Sequence, residues 1–138
     1  GVDPSQVTVS LYNGNGGGVY GTSNVANDFT AGESGSGFTV YSRIYPSNGI
    51  QNGPDAICID LGGQVAMFIS YEGVVVATDG PAVGLSSLDI GVSEGSTTPG
   101  SSLGLTGSGG AAGDFIWAVI VDLANPGLSN EGQTITAP

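Results

Sequence analysis

Apolar and polar residues alternate with a period of two along Gln6-Val7-Thr8-Val9-Ser10-Leu11-Tyr12, the pattern of a strand with one covered face. Asn13-Gly14-Asn15-Gly16-Gly17-Gly18 follows, rich in residues that tolerate positive φ, and Val19-Tyr20 begins the return of a hairpin. The small, polar residues 21–37 lead into Phe38-to-Tyr45, which reads as a strand. Asn48-Gly49 and Asn52-Gly53-Pro54 mark a reversal into Asp55-to-Asp60, and Leu61-Gly62-Gly63 turns that strand into Gln64-to-Tyr71. Val74-Val75-Val76 reads as a further strand or an extended connector, and residues 77–100 as a long ordered loop. Ser101-to-Thr106 and Asp114-to-Val121 are the last two strands, joined across Gly107-Ser108-Gly109-Gly110. No apolar i, i+3, i+4, i+7 pattern runs ten residues without glycine or proline. The expected fold is therefore all-β, a β-sandwich of about six to eight short strands in a single domain over 1–138, with extended ends at 1–6 and 129–138. Alternation sends Val7, Val9 and Leu11 inward together, facing Ile57, Ile59, Phe68, Leu103, Leu105 and Trp117 from other strands. Trp117, within the longest apolar run, Phe115-to-Val121, is the expected core anchor.

Composition narrows the function. Glycine supplies 26 of 138 residues, and charged residues are only 9%, against roughly 25% in an ordinary domain. The chain is acidic, with 12 Asp plus Glu against one cationic side chain, Arg43, and a formal charge of −11. A nucleic-acid binder needs several lysines and arginines to displace counterions, and attraction to an anionic membrane needs them too, so neither partner is expected. There is no histidine, which removes imidazole as base, acid or metal ligand. The apolar content of 39% with low charge sets the chain apart from disordered ones, and no apolar run reaches the roughly 18 residues of a membrane span. The chain opens without Met or a signal peptide and reads as a processed or excised one. Scarcity of Lys and Arg fits an extracellular or cell-surface setting better than a cytosolic one. Cys58, the single cysteine, lies in Ala56-Ile57-Cys58-Ile59 and reads as a small buried hydrophobe.

Each chemical motif has a plainer reading beside the sharp one. Asp79, Asp89 and Glu94 flank a loop that could hold calcium, but the spacing of an EF-hand is absent, and acidic turn residues ordinarily bond their own backbone. Glu72 and Glu94 could pair for glycoside hydrolysis, though solvated or turn-stabilising roles outweigh it. The Gly14-to-Gly18 loop has neither the following helix nor the lysine of a phosphate-binding loop. Tyr12, Tyr20, Tyr41, Tyr45 and Tyr71 could line a carbohydrate-stacking face, and cross-strand packing explains them equally well. Arg43, among tyrosines, is placed to pair with a carboxylate or stack on a ring. No catalytic residue, cofactor or metal ligand is assigned, and the chain is expected not to be an enzyme.

Several blocks are specific beyond composition. They are Leu11-to-Gly17 with Val19-Tyr20, Asn48-to-Asp55, Val65-to-Gly73, Ala77-to-Ala82 and Asp89-to-Glu94. Ser102-to-Gly107, Asp114-Phe115-Ile116-Trp117, Pro126-Gly127 and Gly132-Gln133 complete the series. In that order and spacing, over residues 7–134, the chain resembles the lamin-tail-type domain that bacteria attach to secreted nucleases, phosphatases and surface proteins. The resemblance implies an immunoglobulin-like sandwich acting as a non-catalytic extracellular module. It also implies about two further strands before Val7, where this chain has only Gly1-Val2-Asp3-Pro4. A sandwich lacking them would expose an open edge that another chain could complete. The available donors are Gly1-to-Gln6 and Ser129-to-Pro138, and Thr134, Ile135 and Thr136 form a candidate intermolecular strand. The expected function is a self-assembling structural or interaction protein, a homo-oligomer or the acceptor of a strand-donating polypeptide, with filaments where the contact does not close. The alternatives are an accessory domain of a larger secreted nuclease or phosphatase, and a carbohydrate- or calcium-binding module.

Overall fold

The computed structural model describes every residue except 36, 96, 122, 123 and 138. The chain is all-β and sandwich-like in class, with several sheets and one short helix. In chain order the elements are β1 (Val7–Asn13), β2 (Val19–Asn24), α1 (Val25–Asp28), β3 (Thr30–Gly35) and β4 (Phe38–Ser42). Then come β5 (Asp55–Leu61), β6 (Gln64–Tyr71), β7 (Leu88–Asp89), β8 (Ser102–Gly109), β9 (Phe115–Ile120) and β10 (Gln133–Ile135). Ten strands thus stand among the described residues, more than the six to eight expected, because β3, β7 and β10 carry little apolar periodicity to betray them. The strands fall into two compact units, one of Val2–Phe29 with Ile44–Gly91, the other of Thr30–Arg43 with the described part of Val92–Pro138.

The first unit holds a five-stranded sheet in the order β2-β1-β5-β6-β7. β1 is its spine, antiparallel to β2 on one side and to β5 on the other, with Ser10 opposite Cys58 and Tyr12 opposite Ala56. The β1–β2 turn needs its glycines. Gly17 has φ 71°, and a Cβ there would collide with the Val76 carbonyl, so only glycine lets the turn lie against that segment.

The deepest face of this sheet is the one opposite to the expected face. Tyr12, Ala56, Cys58 and Phe68 form the buried cluster with Val75, Ala77 and Ala82, while on the expected face Leu11 is buried as expected and Val7, Val9, Ile57 and Ile59 are only half-buried. Phe68 pairs with Cys58 across β5–β6, so it lies on the other face from Ile57 and Ile59 and does not join them. The physical cause is a strap over residues 74–87. It carries Val75, Ala77 and Ala82 onto the small residues of the sheet and closes on itself through Ala77 N–H to the Leu85 carbonyl (3.0 Å) and Ser87 N–H to the Val75 carbonyl (2.8 Å). Val74-Val75-Val76 is thus a connector, with one isolated bridge from Val76 to Ser86.

Tyr12 anchors this core. Its side chain is wholly buried, its hydroxyl donates to the Asp79 carbonyl (3.0 Å) and accepts from Ala82 N–H (3.0 Å), and its ring meets Phe68 edge-on at 5.2 Å. Such an aromatic pair adds about 0.5–1.5 kcal/mol beyond area burial. Ser70, also buried, accepts from the Ser87 hydroxyl at 2.6 Å, which pins the far end of the strap.

The second unit holds the three-stranded sheet β10-β8-β9 and the hairpin-like pair β3-β4. β8 and β9 run antiparallel, with Leu105 opposite Trp117 and Leu103 opposite Val119. Trp117 is half-buried and is not part of the buried cluster, so the anchoring role expected of it falls to Tyr12 instead. β10 lies parallel to β8, Thr134 opposite Ser108 and Ile135 opposite Gly109. The two ends of the chain differ from the extended segments expected. Pro4–Gln6 forms a short 3-10 turn capped by the Asp3 carboxylate, and residues 133–135 are a strand; Pro138 lies outside the described residues.

Candidate functional site

Strand edges are the outstanding chemical feature of the second unit. β9 is the edge of its sheet, pairing with β8 and, among the described residues, with no other strand. Its sequence from Phe115 to Val121 has no charge, no proline and no glycine. Natural edges are blunted by such residues or by bulges, and the β8–β9 ladder runs without a register shift. Ile116 is 69% exposed and Val121 is 74% exposed. The turn that enters β9 is built by Asp114, whose Oδ2 accepts from Gly110 N–H (3.0 Å) and Ala111 N–H (2.9 Å), so this carboxylate is occupied at the root of the edge.

The opposite edge of β8 carries the candidate donor residues. Thr134 and Ile135 belong to β10, and Thr136 extends the ladder by donating its N–H to the Gly109 carbonyl (2.9 Å). At the other end Gly107 N–H donates to the Gly132 carbonyl (2.9 Å), and the Asn130 side-chain amide donates to the Leu105 carbonyl (3.0 Å). The segment expected to reach another molecule is here paired within its own chain.

The same tail is latched to β3 by a contact no sequence pattern announces. Glu33 Oε2 accepts from both the Ser129 N–H (2.7 Å) and the Ser129 hydroxyl (2.8 Å), and Glu33 N–H donates to the Gly127 carbonyl (2.7 Å). The Ser129 N–H, then its hydroxyl, hold the Glu33 carboxyl below its ordinary range. Beside this latch a surface groove of about 330 Å³ is lined by Tyr41, Arg43, Leu103, Asn125, Leu128 and Asn130, among others, and so contains the one cationic side chain.

Of the other acidic candidates, the Asp79 and Asp89 carboxylates are engaged by backbone amides. Asp79 Oδ1 accepts from Val19 N–H (2.8 Å), and Asp89 Oδ1 from Gly91 N–H (2.9 Å) in its own turn. The Glu94 backbone carbonyl receives both the N–H and the hydroxyl of Thr97. Among the described residues no three His, Cys, Asp or Glu side chains gather as a metal-binding group. Glu72 is an exposed turn residue at φ 62°. Of the tyrosines, Tyr12 is core, while Tyr20 and Tyr71 clamp Gln51: Tyr20 accepts from its N–H (3.3 Å) and Tyr71 donates to its carbonyl (2.8 Å). Burial raises the pKa of Tyr20, and the Asp55 charge adds to the effect. Cys58 is wholly buried, and burial, followed by the nearby Asp60 charge, pushes its thiol up to about 11. A thiol so raised is a packing group and a poor nucleophile at neutral pH.

No family model matches the chain, and no curated protein or solved structure matches it either. The likeness to lamin-tail domains therefore rests on the sequence blocks alone.

Proposed function

We propose that this chain is a non-catalytic, extracellular structural module of lamin-tail type that assembles with copies of itself by strand addition. The observation that carries the reading is the β9 edge: six residues of uncharged, apolar strand, paired on one side only among the described residues. An edge of this kind templates pairing with another strand. A second copy is the occupant that fits. The chain bears a charge of −11, and Phe115–Val121 contributes none of it, although Asp114 and Asp122 flank the run in the sequence. At about 0.15 M salt the remaining repulsion is screened beyond about 8 Å. An extracellular setting is supported by the near-absence of Lys and Arg.

Sedimentation velocity across a concentration series tests this. The chain is expected to run above its 13.5 kDa monomer mass. Ile116→Lys places a charge on the exposed side of the edge and should return the protein to monomer with its far-UV circular dichroism unchanged. A monodisperse monomer at all concentrations would overturn the proposal.

A further inference from the structure

We propose that the C-terminal arm, residues 130–137, docks on the β8 edge of a second copy in the same parallel register in which it docks on its own. This goes beyond the β9-edge reading above: it names a second contact between copies, on the opposite side of β8, and rests on that reading only in that the chain self-assembles. The acceptor needs no invention, because the chain displays it. β8 receives β10 at Gly107, Ser108 and Gly109, with the flanking bonds from Gly107 N–H to the Gly132 carbonyl and from Thr136 N–H to the Gly109 carbonyl. Every copy carries both halves of this contact, so an arm that leaves its own β8 finds the identical site on a neighbour.

Three features make the exchange accessible. First, the docking is shallow: the paired strand is three residues long, Thr134 and Thr136 are exposed, and Gln133 and Ile135 are only half-buried. Contacts of this size open at the low end of a protein's local stabilities. Second, the recognition is mostly main-chain, against Gly107, Ser108 and Gly109, with one side-chain bond from the Asn130 amide to the Leu105 carbonyl, so little beyond the register has to be matched. Because the same bonds are broken and remade, trans docking costs little beyond association, and concentration decides between the two states. Third, charge does not oppose it. Glu131 is the single ionisable residue in 130–137, and β8 has none. The Glu33–Ser129 latch fixes the point from which the arm departs, leaving residues 130–137 as the mobile element of the exchange.

Two variants with one added cysteine each test the idea, the native Cys58 being wholly buried. Ser108 and Thr134 are exposed partners across the parallel ladder, and neighbouring strands about 4.8 Å apart fall within the Cα range a disulfide spans. Ser108→Cys and Thr134→Cys chains, one isotope-labelled, are mixed at assembling concentration, oxidised and digested. The expected product is a disulfide peptide joining residue 108 of one isotope to residue 134 of the other, its yield rising with concentration. Ile135→Asp, which spoils the arm while leaving the rest of the sheet intact, should reduce the assembled fraction at least tenfold. If the chain assembles but gives no mixed disulfide, or if Ile135→Asp assembles undiminished, arm exchange is wrong while self-assembly stands. If the native chain sediments as a monomer throughout, both fall.

Discussion

Removing one oxygen atom from Tyr12 tests the account of the core. In Tyr12→Phe the ring keeps its place and its edge contact with Phe68, so the transfer energy of the side chain is nearly unchanged. What is lost is the hydroxyl that joins the sheet to the strap, accepting from Ala82 N–H and donating to the Asp79 carbonyl, each at 3.0 Å. The two ends differ in consequence. Asp79 is an exposed residue whose carbonyl can turn to water, whereas Ala82 is wholly buried and its N–H is left without an acceptor. An orphaned buried donor costs about 1–3 kcal/mol, and that is the destabilisation expected. Tyr12→Ala also opens a cavity beneath the strap and should cost about 3–5 kcal/mol. Urea unfolding followed by far-UV circular dichroism gives both numbers, and amide exchange at Ala82 locates the effect. A Tyr12→Phe change below about 0.5 kcal/mol, with Ala82 exchange unaltered, would show that the hydroxyl does not hold the strap.

The remaining predictions concern groups whose surroundings differ from those of Tyr12. Trp117 is half-buried, so Trp117→Ala should cost less than Tyr12→Ala, and acrylamide should quench native Trp117 fluorescence in part; complete shielding would contradict its placement. Cys58 should resist a thiol reagent at pH 7 until the protein unfolds, and labelling of the native chain within minutes would refute its burial. Glu33 has a lowered folded pKa, so its bonds to Ser129 stabilise the tail above the ordinary glutamate range and are lost as pH falls through the folded value. Ser129 amide exchange, corrected for its intrinsic pH dependence, should therefore lose protection on acidification, and the loss should vanish in Glu33→Gln. Asp55 is 2% exposed, with Oδ1 accepting from Gly14 N–H and Oδ2 without a hydrogen-bond partner among the described residues. Asp55→Asn keeps the acceptor and should unfold within about 1 kcal/mol of the native protein, while Asp55→Ala orphans the Gly14 amide and should cost about 1–3 kcal/mol.

Period-two alternation located seven of the strands from sequence, since β1, β2, β4, β5, β6, β8 and β9 all carry it or lie beside turn residues that end it. It did not identify the deeper face of β1. Val7, Val9 and Leu11 are the more apolar set, yet of them Leu11 alone is buried, at 4% exposed, against 1% and 0% for Ser10 and Tyr12. Hydrophobicity ranks transfer energy, whereas depth depends on what can come close. Small residues at Ser10, Ala56, Cys58 and Ser70 leave room for a strap to lie flat on the sheet, and Tyr12 and Phe68 fill the space beside them. The signal was present as small residues at alternate positions on three strands, opposite a 77–87 segment with its own Ala77 and Ala82. Its hydroxyls needed partners, and those became visible only when Ser87 met Ser70.

The candidate site was legible in the opposite sense. Thr134-Ile135-Thr136 has β-forming residues in a row, which marks a strand without saying whose sheet it joins. Nothing in three residues can fix that choice, because register and partner are specified by the burial of a whole face, and this segment buries little of one. The glycines of β8 compound the ambiguity, since they offer backbone and almost no side-chain discrimination. In the proposed exchange, a strand held mainly by main-chain bonds, with the identical acceptor on every copy, would have its partner set by concentration and by the latch at Glu33.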